Sequence, residues 1–310
     1  MRAILLFPGQ GSQSVGMGKA LYDRFAEVRE LFAQADETLG IPLSRLCLEG
    51  PAEELTLTAN AQPALLLVST AIWRVAQRQL AIEPVAAAGH SLGEFSALVA
   101  AGALQLGEAL RVVRERGRAM QEAVPPGRGS MAAIFGLDLK TVERLCREHG
   151  NGAVVSPANL NGAGQIVVAG EKEAVERVVT AARQAGARRS VNLQVSAPFH
   201  CSLMAPAAEK LRETLRNVNI SVPRFPVISN VTALPYSSDA DELRQLLVLQ
   251  VTEPVRWEEC VRRLAEYSCD VVIECGPGKV LTSLAKRIVP EWNCQAAEEL
   301  NLVSDSGGTQ

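Results

Sequence analysis

The chain has 310 residues, of which 47% are hydrophobic and 21% are charged, a composition typical of a globular protein. Its formal net charge of −3 leaves no basic footprint for nucleic acid, and every apolar run is shorter than a membrane span requires. The seven cysteines include no C-x-x-C pair and only three histidines occur, which argues against a disulfide framework or a metal site and predicts a reducing, cytoplasmic setting.

Strands alternate with helices in the first part of the chain. The hydrophobic pattern predicts a strand at 3–7, a helix from about 18 to 39, a helix at 61–80, a strand at 85–89, and helices at about 92–101 and 107–123. This alternation predicts a parallel sheet covered by helices on both faces. The apolar run at 3–7 is short and turns directly into the glycine-rich loop PGQGSQ, so we expect no signal peptide.

The turn VPPGRG at 124–129 marks a boundary, after which the pattern changes. Strands and helices are predicted in the order β-α-β-β-α-β, at 130–135, 138–149, 153–158, 165–169, 171–186 and 189–195. This order is the split arrangement of a ferredoxin-like unit. It predicts a small domain inserted into a larger one.

The remaining chain returns to the first pattern. A helix is predicted at 202–215, a strand at 225–231, helices near 239–250 and 257–267, and a strand, glycine turn and helix over 270–288. The last residues, which end in SDSGGTQ, predict a disordered tail. We therefore predict a discontinuous large domain at 1–126 and 197–293, a small domain at 127–196, and a disordered tail at 294–310.

Ser91 stands between two glycines in the sequence GHSLG, where the predicted strand meets the next helix. The spacing G-x-S-x-G is that of a nucleophile elbow, a sharp turn that exposes the serine hydroxyl at a helix N-terminus. The alternative is that Ser91 only caps the helix, which serine does well. The pentapeptide by itself leaves both interpretations open.

A nucleophilic serine needs a base within hydrogen-bond reach, and the three histidines can be compared. His90 is adjacent to Ser91, and neighbouring side chains diverge at a tight turn. His149 ends a predicted helix, where a solvated histidine is favoured by the helix dipole. His200 lies where the chain leaves the small domain, a place where a cleft forms. We therefore predict that His200 is the base.

Arg116 falls on the inward stripe of the helix at 107–123. It follows Val113 by three residues and precedes Met120 by four, so all three share a face. An inward arginine must be paired, because an unpaired buried charge is costly. Its partner is either an internal acidic residue or the carboxylate of a substrate, which a guanidinium binds through two parallel hydrogen bonds.

Six motifs in order resemble the malonyl-CoA:acyl carrier protein transacylase family over roughly residues 1–290. They are GQGSQ (9–13), GHSLGE (89–94), RGRAMQ (116–121), APFHCSLM (197–204), LVLQVTEPVRW (247–257) and GPGKVLTSL (276–284). The resemblance implies an α/β fold, in which an α/β-hydrolase-like domain carries a ferredoxin-like insertion.

The resemblance also implies residue roles. Ser91 would attack the thioester of malonyl-CoA, and His200 would take its proton. Gln250 would orient that histidine through its backbone carbonyl, whereas the residues alone leave several Asp and Glu as alternatives. The backbone N–H groups of Gln10 and Leu92 would form the oxyanion hole.

Two further side chains would select the acyl group. The resemblance implies that Arg116 binds the malonyl carboxylate and that Phe199 belongs to the malonyl-selecting form of the family. Pro198 and Ala197 depart from the residues usual in the family at those two positions.

The implied reaction is a two-step transfer from malonyl-CoA to the phosphopantetheine thiol of acyl carrier protein in fatty acid biosynthesis, without a cofactor. The alternatives are a free-standing acyltransferase that loads a polyketide carrier, a serine thioesterase, and a non-catalytic module that binds acyl thioesters. A carrier protein is usually acidic, so charge clustering predicts a docking face at Arg188, Arg189, Lys286 and Arg287. We expect a monomer, because no exposed apolar helix face is evident.

Overall fold

The strands of the protein form two separate sheets in a computed structural model that describes residues 1–300 and 302. The strands are β1 (Arg2–Phe7), β2 (Glu83–Gly89), β3 (Gly129–Phe135), β4 (Val155–Gly162), β5 (Gln165–Glu171), β6 (Arg189–Asn192), β7 (Val227–Ile228), β8 (Val271–Glu274) and β9 (Cys294–Ala296). A five-stranded sheet has the order β7-β2-β1-β8-β9, and every neighbouring pair is parallel. A four-stranded antiparallel sheet has the order β4-β5-β3-β6. The predicted parallel sheet is confirmed.

The helices pack on these sheets. They are α1 (Lys19–Arg24), α2 (Ala26–Leu39), α3 (Leu43–Glu49), α4 (Ala52–Thr56), α5 (Thr58–Leu80), α6 (Leu92–Ala100), α7 (Leu106–Glu122), α8 (Leu139–His149), α9 (Lys172–Gln184), α10 (Ala205–Leu215), α11 (Ala240–Leu249), α12 (Trp257–Leu264) and α13 (Val280–Ile288). Short 3₁₀ helices occupy Ser202–Met204 and Ala297–Leu300. No helix among the described residues is both long and apolar enough to cross a membrane.

The central strand β1 explains why the parallel sheet is covered on both faces. Alternate side chains of a strand point to opposite faces. Ala3, Leu5 and Phe7 join the core beneath α5, α6 and α7, whereas Ile4 and Leu6 join a second core beneath α12 and α13. Strand β1 is therefore buried on both faces, which is why its sequence is a continuous apolar run.

The antiparallel sheet is held against the parallel one. In β3, Ala132 and Ile134 pack under α8 and α9, whereas Met131 and Ala133 join the core of the parallel sheet. The edge strand β4 also bonds to the segment before α12, where Leu160 N–H donates to the Val255 carbonyl at 2.9 Å. This attachment brings β4 beside the end of β2.

Several element predictions need correction. The predicted helix at 18–39 is broken at Phe25, whose backbone is extended, so that it forms α1 and α2. The predicted strand at 225–231 is reduced to β7, and β4 lies further along the chain than the predicted 153–158. Helices α3 and α4 were not predicted. Both are short, and short helices give little periodic signal.

The predicted disordered tail is wrong for its first part. Residues Cys294–Ala296 form β9, which pairs in parallel with β8, and a 3₁₀ helix follows. Leu300 and Leu302 are buried in the core of the parallel sheet. The chain therefore continues the parallel sheet beyond residue 293, and residues 301 and 303–310 of the predicted tail lie outside the described residues.

Candidate active site

A sharp turn joins β2 to α6 and carries Ser91. Its φ of 52° and ψ of −107° are unusual for a residue with a side chain. The flanking glycines are required by close packing. A Cβ on Gly89 would lie 1.9 Å from the carbonyl of Gly93, and a Cβ on Gly93 would lie 1.9 Å from the Phe7 carbonyl oxygen. The Ser91 side chain makes no capping hydrogen bond. The geometry is that of an elbow, and the capping alternative is excluded.

Asn230 braces this turn. It follows β7, and its side chain accepts a hydrogen bond from Ser91 N–H at 2.8 Å and donates one to the Gly89 carbonyl at 2.8 Å. Both sides of the elbow are thus tied to one buried amide. Asn230 was not predicted from the sequence, because nothing in its local pattern separates it from a turn residue.

A chain of hydrogen bonds connects Ser91, His200 and Gln250. The distance from Ser91 Oγ to His200 Nε2 is 2.8 Å, and the distance from His200 Nδ1 to the Gln250 carbonyl oxygen is 2.7 Å. Gln250 is the C-cap of α11, where the last carbonyls lack intrahelical partners. A free carbonyl at the negative end of a helix is suited to stabilise an imidazolium.

His200 is buried, and its environment keeps it neutral. Burial lowers its pKa to about 3, and the nearby Arg116 charge also lowers it. The hydrogen bond to the Gln250 carbonyl opposes this shift. A neutral imidazole whose Nδ1–H faces a carbonyl leaves Nε2 as the acceptor for the serine proton.

Arg116 is 1% exposed, which confirms that it faces inward. Its Nη1 donates to Gln62 Oε1 at 2.7 Å, and its Nη2 donates to Gln250 Oε1 at 2.8 Å and to Ser91 Oγ at 3.2 Å. These acceptors are all neutral. Among the described residues, no carboxylate contacts the guanidinium, and its Nε has no hydrogen-bond partner. Burial lowers its pKa only to about 10, so the group stays charged.

A cavity of about 160 Å³ lies above the serine and also contacts Arg116 and His200. Gln10, Leu92 and Phe199 line it as well. Gln10 is fixed by a hydrogen bond from Nε2 to Thr58 Oγ1 at 3.1 Å. Within the described chain, the backbone N–H groups of Gln10 and Leu92 have no acceptor, so both are free to bind an anion.

A second, open groove of about 570 Å³ adjoins this cavity and shares Gln10, His90 and Asn159 with it. We call it the entrance groove. His90 turns away from Ser91, as predicted, and its Nε2 lies 3.0 Å from Asn161 Oδ1. His149 is the last residue of α8. Of the three histidines, the structure brings only His200 to the serine. No set of three His, Cys, Asp or Glu residues in the described part of the chain could hold a metal ion.

Of the four basic residues predicted to dock a carrier, Arg287 is the one that lines the entrance groove among the described residues, and Arg188 lies in a neighbouring hollow that shares Gln165 with it. Lys279 lines the groove together with Arg287. Arg188 lies beside the β4–β5 turn, 3.8 Å from where a Cβ on Gly164 would sit. Ile288, next to Arg287, packs on Gly162 in the same turn. The two arginines therefore approach one turn from different elements.

Comparisons with known proteins agree with this geometry. The acyl transferase domain family matches residues 4–303. The malonyl CoA-acyl carrier protein transacylase of Salmonella typhimurium is 49% identical over 294 residues, which are 95% of each chain. The solved transacylase of the same name from Coxiella burnetii is 40% identical, with a TM-score of 0.94 over 98% of this chain and 96% of that one. A malonyl-transacylase solved in complex with a type II PKS acyl-carrier protein is 46% identical, with a TM-score of 0.94 over 98% of each chain.

Proposed function

The chain belongs to the malonyl CoA-acyl carrier protein transacylases of the acyl transferase domain family, and we propose that it forms its acyl intermediate on Ser91. It is an acyltransferase that moves malonyl from malonyl-CoA to the phosphopantetheine thiol of acyl carrier protein. We propose the roles of its residues from the geometry above, and we propose that the reaction needs no cofactor.

In the first half-reaction, Ser91 Oγ attacks the thioester carbonyl carbon while its proton passes to His200 Nε2. The backbone N–H groups of Gln10 and Leu92 hold the oxyanion, supported by the N-terminus of α6. The C–S bond then breaks, and His200 returns the proton to the sulfur of coenzyme A. Malonyl-Ser91 remains.

The second half-reaction reverses these steps with a different thiol. The carrier's phosphopantetheine thiol gives its proton to His200, and its sulfur attacks the malonyl-Ser91 carbonyl. Ser91 Oγ recovers the proton as the ester bond breaks. One site thus serves both thiols, which is ping-pong kinetics.

The contact between Arg116 and Ser91 carries this proposal. A buried guanidinium with only neutral acceptors lies 3.2 Å from the attacking oxygen. It is suited to the free carboxylate at the far end of a malonyl group, which it can bind through two hydrogen bonds. A thioesterase for neutral acyl groups has no need of this charge. We propose that the Phe199 ring, on the wall of the same cavity, limits the size of the acyl chain.

We also propose the fold type of each of the two parts of the chain. The order β-α-β-β-α-β and the sheet order β4-β5-β3-β6 support a ferredoxin-like subdomain at 127–196. The parallel sheet with the elbow after β2 supports an α/β-hydrolase-like large domain. We further propose a monomer in the cytoplasm, where the seven free cysteines would stay reduced.

Fatty acid synthesis is the pathway we propose for the acceptor carrier. A polyketide carrier is the second candidate, because one of the similar structures was solved with a type II PKS acyl-carrier protein. Transfer to purified carriers of the two kinds would separate them.

Brief exposure to malonyl-CoA should add one malonyl group to the protein, and added acyl carrier protein should remove it. Ser91→Ala should form no adduct, because it lacks the attacking oxygen. Intact-protein mass spectrometry measures both steps. Release of coenzyme A without an adduct and without a carrier would indicate a hydrolase. Neither an adduct nor coenzyme A release would mean that the site is inactive toward malonyl-CoA.

We propose that the basic residues beside the entrance groove dock the carrier. An acidic carrier is attracted to a locally basic face even on a protein of negative net charge. Two glutamates of α12, Glu258 and Glu259, lie near this face but pair with Arg262 and Arg256 of their own segment. They therefore neutralise little of the charge at Arg188 and Arg287.

Reversing Arg188 and Arg189 to Glu should slow transfer to the carrier by about tenfold or more while malonyl-CoA still loads Ser91. The matched control reverses Arg144 and Arg147, which lie on α8 and change the net charge equally. Carrier-dependent and carrier-free rates are measured at several salt concentrations. Equal losses of loading and transfer in the Arg188/Arg189 variant, or the same transfer loss in the control, would contradict the assignment.

A further inference from the structure

Glu94 is a fully buried carboxylate close to the catalytic residues. It is the third residue after Ser91, the position from which a glutamate commonly caps its own helix. It does not do so here, because Ser91 N–H is bonded to Asn230 instead. Its side chain points into the interior, where a carboxylate is costly to bury unless other groups bind it.

Three donors converge on the Glu94 carboxylate. Asn230 N–H donates to Oε1 at 3.1 Å, and the Tyr236 hydroxyl donates to the same oxygen. Gln250 Nε2 donates to Oε2. Two of the donors belong to the loop after β7 and the third to the end of α11, and none is on α6. Glu94 therefore joins the loop after β7 and the end of α11 to the serine helix.

The Gln250 amide lies between two opposite charges. Its oxygen accepts from Arg116 Nη2 at 2.8 Å, and its nitrogen donates to Glu94 and to the Ser91 carbonyl, the latter at 3.0 Å. A carboxylate accepts only, and a guanidinium donates only, so the two charges fix which way the amide faces. The same residue holds His200 through its backbone carbonyl.

We infer that ionised Glu94 is a positioning residue for the transfer reaction, because it holds Gln250 toward Arg116 and His200 and holds Asn230 against the elbow. This inference rests on the proposed function. A neutral group at residue 94, whether a protonated carboxyl or an amide, would place a donor among three donors. Gln250 would then lose the charge that orients it, and Arg116 would lose one of its two glutamine anchors.

Among the described residues around the site, Glu94 is the one expected to change charge near neutral pH. Burial raises its pKa to about 7, although its three hydrogen bonds oppose the shift. The pKa of Tyr236, from the loop after β7, and that of Cys260, from α12, are raised well above their usual values, so both stay neutral. Arg116 on α7, with a pKa of about 10, stays charged, and His200, at about 3, stays neutral. Burial also lowers the pKa of His90.

The test is the pH profile of malonyl loading, measured by rapid quench and intact mass from about pH 5 to about pH 9. The loading rate of the wild type should fall below about pH 7, where Glu94 becomes protonated. We call this fall in the pH profile the limb. Glu94→Gln should load malonyl about ten- to a hundredfold more slowly at high pH, the cost of losing hydrogen bonds to a charged group, and should lack this limb. Its preference for malonyl over acetyl should fall as Arg116 loosens.

Tyr236→Phe provides a second variant that keeps the charge. The Tyr236 hydrogen bond lowers the pKa of Glu94, so its removal should move the limb to higher pH. Glu274→Gln is the matched control. Glu274 is also a fully buried glutamate, but it accepts hydrogen bonds from the backbone N–H groups of Leu281 and Thr282 at the start of α13. Its substitution should lower stability and leave the limb in place.

The outcomes separate the two claims. A limb that persists in Glu94→Gln, or that stays in place in Tyr236→Phe, would overturn the role of Glu94 while the transacylase reaction stands. If Glu94→Gln does not fold, the Tyr236→Phe profile still decides. Failure of the proposed function would look different, because the wild type would then form no malonyl-Ser91 at any pH.

Discussion

Replacing Arg116 with alanine should reduce malonyl loading of Ser91 by about a hundredfold or more, the scale of removing one partner of a buried charge pair. Acetyl loading should be spared or increased. The guanidinium would pair with the malonyl carboxylate, and acetyl has no such charge. Rates of adduct formation from malonyl-CoA and acetyl-CoA, measured in parallel by mass spectrometry, give the ratio directly.

Arg116→Lys is the informative control. It keeps a positive charge but lacks the planar fork that reaches Gln62, Gln250 and Ser91 together. We expect its malonyl loading to lie between those of the wild type and the alanine variant. Equal losses of malonyl and acetyl loading in Arg116→Ala would mean that Arg116 only supports the structure of the site.

The residues that carry a local signal could be found from the sequence. Ser91 lies in a motif that requires a particular turn, and close packing at Gly89 and Gly93 explains why that motif is so restricted. The burial of Arg116 followed from helical periodicity alone. With only three histidines, elimination was enough to choose His200, because the other two could be argued away from the serine.

Residues that act through the fold gave no such signal. Gln250 orients His200 with a backbone carbonyl, and a backbone group leaves no mark on residue type. Asn230 and Gln62 reach the site only because the loop after β7 and helix α5 pack beside the elbow. Glu94 did have a signal, since it is the one charged residue in the apolar helix LGEFSALVA. A charge within such a helix indicates a buried partner.

The small errors in the fold have a similar origin. β7 and β9 have two and three residues, so alternation cannot be recognised in them. Each exists because it adds to the edge of a sheet that other segments have already built. The polar sequence after Cys294 has the composition of a disordered tail. Pairing of its first residues with β8 overrides this local preference.

Replacing His200 with alanine should reduce malonyl loading by about a hundred- to ten-thousandfold at neutral pH, the usual contribution of a general base. Imidazole added to the solution should restore part of the rate by entering the space left by the side chain. His149→Ala is the control, because His149 ends α8 away from the serine. A loss of less than about tenfold in His200→Ala would exclude His200 as the base.

The two substitutions should not act independently. The positive charge of Arg116 lowers the pKa of His200, and a bound malonyl carboxylate neutralises that charge. A bound malonyl group therefore raises the pKa of His200, the base that takes the proton of Ser91, whereas acetyl does not. Removing Arg116 raises the same pKa permanently, which is why acetyl loading is expected to increase. In the double variant without Arg116 and His200, the loss of malonyl loading should be larger than the product of the two single losses, because the stronger base that partly offsets the loss of Arg116 is then missing. Losses that multiply in full would show that Arg116 acts on the carboxylate alone.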